Sequence, residues 1–119
     1  MPAYSRFAMP AKNKPATSTD IFDLIGRSQN IAEASAAMQA MAHPVRLKIL
    51  CLIGSQEISV LEIVDAVGTT QSNISQHLGL LRQHGILEAR KEANKVYYRI
   101  PDPRILKMIG LMREVFCSK

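Results

Sequence analysis

The sequence predicts a mainly α-helical domain that carries one small β-hairpin, and three observations support this. Apolar residues recur at helical spacing through most of the chain from Ser28 to Cys117. Two helical stretches, residues 59–66 and 69–85, are separated by a short turn at Gly68, the pattern of a helix-turn-helix. Two short runs, residues 86–91 and 95–100, flank Glu92-Ala93-Asn94 and read as the strands of a hairpin.

A chain of 119 residues makes one domain with a modest core. Its 47% apolar content marks it as globular rather than disordered. A formal charge of +5 and a pI near 9.5 suit a polyanionic partner such as DNA. With 5% aromatics and no Trp, a stacking platform for single strands is not expected. No apolar run reaches transmembrane length. Arg6, Lys12 and Lys14 are interrupted by Pro2, Pro10 and Pro15, and no apolar signal core follows, so a cytoplasmic protein without a membrane partner is expected. Two cysteines, Cys51 and Cys117, are too few for a disulfide scaffold and should rest as thiols in a reducing compartment.

Residues 1–18 are rich in Pro, Ala, Lys, Ser and Thr without any period, which predicts a disordered arm; residues 19–119 form the folded domain. Thr19 and Asp20 offer a cap to a first helix that starts at about Ile21 or Ser28 and runs to Met41, with Ile31, Ala34, Met38 and Met41 as its stripe. His43-Pro44 breaks the chain and sets Pro44 as the first residue of a second helix reaching about Gly54. Val45, Leu47, Ile49, Leu50, Leu52 and Ile53 make that helix apolar on most sides, as a buried central helix requires.

The stretch from Thr69 to Gly85 organises the rest. Thr69 and Thr70 can cap its start, and Gly85 stands where a left-handed residue would close it. Ile74, Leu78 and Leu81 form one apolar stripe. The opposite row, Ser72, Ser75, Gln76, Gly79 and Gln83, is polar but uncharged. Short amides and hydroxyls are the groups that read base edges in a major groove, so this is a candidate recognition helix, with Gly79 open to close approach. Ser72, Ser75 and Gln76 are the expected readers, with Gln71, Asn73 and His77 beside them. The hairpin then reads as a wing. Its Arg90, Lys91, Lys95 and Arg99 outnumber Glu88 and Glu92, and Arg90, Lys91 and Lys95 are the expected phosphate contacts. Pro101 and Pro103 end the hairpin, and a last helix follows from about Pro103 to Cys117. Ile105, Met108, Ile109, Met112, Val115 and Phe116 make it apolar enough to need a surface to lie against, and a homodimer interface shared with the first helix is expected.

This order of elements, a winged helix-turn-helix with helices before and after it, resembles the ArsR/SmtB family of small dimeric repressors. The resemblance rests on residues 40–50 (Ala-Met-Ala-His-Pro-Val-Arg-Leu-Lys-Ile-Leu), on Gln71-Ser72-Asn73-Ile74-Ser75-Gln76-His77-Leu78, and on Val96-Tyr97-Tyr98. It covers roughly Ser28 to Cys117 and implies a homodimer that binds an inverted repeat in double-stranded DNA.

Members of the family sense different inducers. Arsenic- and cadmium-type members carry a Cys-x-Cys cluster on the third helix, where Ile58-Ser59-Val60-Leu61-Glu62-Ile63-Val64 has no Cys. Zinc-type members carry His and carboxylates on the last helix, where this chain has no His and a single carboxylate, Glu114. No metal site and no cofactor are expected. Read as residues alone, Cys51 in Leu50-Cys51-Leu52 is a small core hydrophobe and Cys117 is incidental. The two positions are also similar to those of the sulfur- and redox-responsive branch of the family, the BigR, SqrR and HlyU type. That resemblance implies a redox-sensing dithiol, Cys51 and Cys117, which an oxidant or reactive sulfur species bridges to release DNA. The alternative within the family is a sensor that holds a thiophilic metal or metalloid on the same thiolates. A Cys-based enzyme is not expected, since neither Cys has a His or a resolving Cys near it in sequence.

Overall fold

A computed structural model describes residues 28–117. The predicted arm and the predicted cap at Thr19 and Asp20 lie outside the described residues. The first helix, α1, is Ser28–Met41, and the boundary between two compact units falls inside it, after Ala36. In the second unit Ala40 and Met41 enter the core. Ile31 and Met38, two residues of the predicted stripe, are exposed at 45% and 56%.

The helix α2, Pro44–Ile53, is the centre of the core. Ile49, Leu50 and Ile53 are fully enclosed. His43 caps it, with Nδ1 accepting the N–H of Val45 at 3.1 Å while Pro44 takes the first helical position.

The sheet is larger than a hairpin. A two-residue strand, β1 (Ile58–Ser59), joins β2 (Glu88–Glu92) and β3 (Lys95–Arg99) in an antiparallel sheet of order β1-β3-β2. Ile58 lies opposite Tyr98 and Ser59 opposite Tyr97. The predicted helical start at residue 59 is thereby corrected. Ser59 closes β1 and caps α3 (Val60–Val67), with its Oγ accepting from Glu62 N–H and Glu62 Oε1 accepting from Ser59 N–H, a reciprocal capping box. The predicted strand limits also shift. Ile86 and Leu87 leave the strand for the core, both almost fully buried, and Glu92 pairs with Lys95. The turn is therefore Ala93-Asn94 alone, with Ala93 at φ 56°.

The helix α4, Gln71–Gln83, begins at Thr70, whose Oγ1 accepts from Asn73 N–H. It ends in a Schellman arrangement. Gly85 at φ 73° donates to Arg82 O, and Ile86 donates back to Leu81 O. That reversal returns the chain to the core and places Ile86 and Leu87 under the wing. Ile74, Leu78 and Leu81 have no solvent exposure, as their spacing predicts. The last helix, α5 (Pro103–Cys117), packs on α2 through its first half, with Ile109 buried and Ile105 and Leu106 half-buried. Leu111, Val115 and Phe116 on its second half are exposed at 55%, 72% and 77%.

Candidate DNA interface and thiol pair

The outward face of α4 follows from the inward one. With the Ile74, Leu78 and Leu81 row locked against α2 and α3, the rows a third of a turn away must face outward. Gln71, Ser72, Ser75, Gln76, Gly79 and Gln83 are all exposed. Two predicted neighbours are not. Asn73 is half-buried, and its amide Nδ2 donates to Thr69 Oγ1 at 3.2 Å. His77 is half-buried, with Nδ1 3.2 Å from Arg46 Nη1 and its ring 4.7 Å from that of His43. Burial pushes the His77 imidazole below its ordinary pKa, and the charges of His43 and Arg46 push the same way.

The wing is less cationic than its composition. Arg90 Nε donates to Glu57 Oε2 at 2.8 Å and its Nη1 to Glu92 Oε1 at 2.5 Å, and the guanidinium carbon lies 4.8 Å from the centroid of the Tyr97 ring. The hydrogen bond from Arg90 holds the Glu57 carboxylate below its usual range. Glu88 lies opposite Arg99 in the register, and their side chains pair at 2.8 Å. Arg90 and Arg99 thus answer carboxylates of their own chain. Lys91 and Lys95 are exposed and have no ion-pair partner among the described residues. Glu57 lies outside the hairpin in sequence, so a count over the two strands misses it.

Helix and wing meet at a groove of about 290 Å³. Gln71 and Ser75 of α4, Asn94 and Lys95 of the wing and Leu61 of α3 line it. Three predicted contact residues, Gln71, Ser75 and Lys95, therefore share one opening. Leu61, exposed at 55%, and Asn94 were not legible as part of it. Ser72, Gln76 and Lys91 are exposed but do not line this groove.

The two thiols are both free. Cys51 is half-buried on α2, the helix on which α5 packs, and Cys117 is exposed at the end of α5. Burial raises the Cys51 thiol above its ordinary pKa, the positive charge of Arg113 on α5 lowers it, and Cys117 raises it again. Arg113 and Cys117 are thus both within electrostatic reach of Cys51. A cleft of about 370 Å³, lined by Lys48, Cys51, Leu52, Ala66 and Val67, opens beside the same thiol. Among the described residues no three His, Cys, Asp or Glu side chains gather as a metal site would need, and no helix is long and apolar enough to cross a membrane.

Comparison with known proteins places this geometry. Residues 41–90 match the family described as a helix-turn-helix domain. The transcriptional activator HlyU of Vibrio cholerae is 38% identical over 90 residues, 76% of this chain and 83% of that protein. The biofilm growth-associated repressor of Xylella fastidiosa is 31% identical over 87 residues, 73% of this chain and 76% of its own length. Among solved structures, HlyU from Vibrio cholerae superposes with a TM-score of 0.71 at 39% identity, over 74% of this chain and 96% of that one. The transcriptional repressor BigR from Xylella fastidiosa gives 0.69 at 30% identity, over 82% and 96%. The uncharged outer row of α4, the wing beside it and these relatives agree: the chain belongs to the ArsR/SmtB family of winged-helix transcriptional regulators.

Proposed function

We propose that the protein is a homodimeric, cytoplasmic repressor that binds an inverted-repeat operator in double-stranded DNA and leaves it when Cys51 and Cys117 become linked. Ser72, Ser75 and Gln76 read bases from α4, Gln71 stands beside them, and Lys91 and Lys95 hold phosphates. Asn73, His77 and Arg90 serve the interface indirectly, because each is tied within its own protomer. Leu111, Val115 and Phe116 supply an apolar surface for the second copy.

The observation that carries the switch is placement: Cys51 is half-buried on α2, and Cys117 stands exposed at the end of α5, the helix that packs on α2. An exposed Cys117 takes the first step. Its thiolate attacks the outer sulfur of a hydropersulfide, RSSH, and a thiolate RS⁻ leaves, which makes Cys117 a persulfide. The Cys51 thiolate then attacks the Cys117 sulfur and expels HS⁻, closing a disulfide; further sulfur transfer would lengthen the bridge. A simple oxidant reaches the same disulfide by accepting two electrons as both thiol protons depart. A disulfide needs Cα atoms about 4.4–6.8 Å apart, so closure pins the end of α5 to the core helix beside α4. The proposal is supported by the relatives' names, which include a repressor and a form of HlyU described as reduced.

Fluorescence anisotropy on a duplex selected by the reduced protein tests this, before and after inorganic polysulfide, for wild type, Cys51→Ser and Cys117→Ser. Both variants should bind as wild type does and ignore polysulfide. A variant that still responds refutes the dithiol switch. Release by arsenite or Cu(I) but not by polysulfide would instead identify the thiolates as a metal sensor.

A further inference from the structure

Behind α4 two imidazoles and a guanidinium meet, and none of them is among the proposed direct DNA contacts. Arg46 of α2 reaches in two directions. Its Nε donates to Ala40 O in the last turn of α1, and its Nη1 lies 3.2 Å from Nδ1 of His77 on α4. A guanidinium only donates, so His77 Nδ1 is the unprotonated nitrogen of a neutral ring. The His77 ring is tilted 43° against that of His43, with centroids 4.7 Å apart. His43 Nδ1 accepts in turn from Val45 N–H as the cap of α2. Both rings are held by bonds that require an unprotonated Nδ1. A proton at His77 Nδ1 sets N–H against N–H and puts a second positive charge beside Arg46 in a half-buried site.

We propose that Arg46 is a positioning residue, that it fixes the recognition helix to the last turn of α1 through a neutral His77, and that acid therefore loosens α4 and weakens specific DNA binding. The proposal rests on α4 being the helix that reads DNA. The charges that act on His77 are those of His43 and Arg46. α3, which also packs on α4, brings Glu62, held in the capping box, and Asp65, which is exposed; Arg82 on α4 itself is exposed too. None of these supplies a carboxylate bonded to the imidazolium among the described residues. The direction follows. The folded-state value of His77 lies below the ordinary 6.5, so its contribution is complete above 6.5 and is lost as the pH falls through the lowered value.

The test has two arms. In the first, anisotropy compares a duplex selected at neutral pH with an unselected one as the pH is lowered, so that general charge effects cancel. The wild-type selectivity ratio should fall about tenfold per pH unit for each engaged protomer once the His77 midpoint is passed. Whatever its value at neutral pH, the ratio of His77→Gln should not change as the pH falls, because an amide oxygen can still accept from Arg46 and does not titrate. A flat wild-type profile, or an equally steep one in His77→Gln, overturns the proposal. The second arm needs no DNA: the ring signals of the chain's three histidines are followed by NMR in the free protein and assigned with single variants. His77 should titrate below 6.5 and move toward it in Arg46→Gln. A midpoint indifferent to Arg46 overturns the proposal as well. A protein that binds no duplex at neutral pH refutes the DNA reading through the first arm, while the second still decides the Arg46–His77 contact.

Discussion

Gly79→Ala separates the stability of α4 from its use. Gly79 lies in the interior of the helix, exposed, in the row with Ser72, Ser75, Gln76 and Gln83. A Cβ added there has nothing within 4 Å beyond the helix's own nearby backbone, so the free protein meets no clash. Replacing an interior helical Gly by Ala gains about 0.5–1 kcal/mol, because Gly loses more backbone freedom on folding. For a domain of this size that raises Tm by about 2–8 °C. On DNA the same methyl projects from the proposed reading row, and overpacking a fitted surface costs about 1–3 kcal/mol. The variant should therefore melt higher and bind its selected duplex more weakly. Thermal unfolding and anisotropy on one preparation measure both. Gly68→Ala is the control of opposite sign: its added Cβ also meets open space, but its φ of 83° makes an L residue cost about 1–2 kcal/mol. If Gly79→Ala binds as tightly as wild type, that side of α4 does not face DNA. If it melts lower, the account of the helix itself is wrong.

Three further outcomes are expected. Ser59→Ala removes one half of the capping box that joins β1 to α3, and should cost about 0.5–2 kcal/mol in urea unfolding. Lys95→Gln and Lys91→Gln should each reduce the slope of log K against log salt by about two for the proposed dimer, whereas Arg90→Gln should leave it nearly unchanged because Glu57 and Glu92 already hold that charge. Gln76→Ala should lose about 1–3 kcal/mol of discrimination at one base pair per half-site, measured on a panel of duplexes; a uniform loss over all sequences would make Gln76 a phosphate contact.

The sequence by itself determined the helices, the hairpin and the outer row of α4. Helical periodicity is local, and so are the signals that end a helix: Thr70, Pro44 and Gly85 act on backbone groups within a few residues of themselves. Once Ile74, Leu78 and Leu81 are buried, helix geometry leaves Ser72, Ser75 and Gln76 no inward position. What periodicity could not decide was which polar side chains had partners from distant parts of the chain. Glu57 takes Arg90 across 33 positions, and Arg46 takes His77 across 31. Ile58 and Ser59 make a strand only because β3 offers a free edge, and two residues are too few to show an alternation of their own. Composition counted Arg90 as a free cation, and the helix spacing set His77 beside the expected readers. Charge and spacing are properties of a residue and its neighbours in sequence. Whether a donor is already satisfied depends on what the fold brings beside it, and that only the tertiary structure decided.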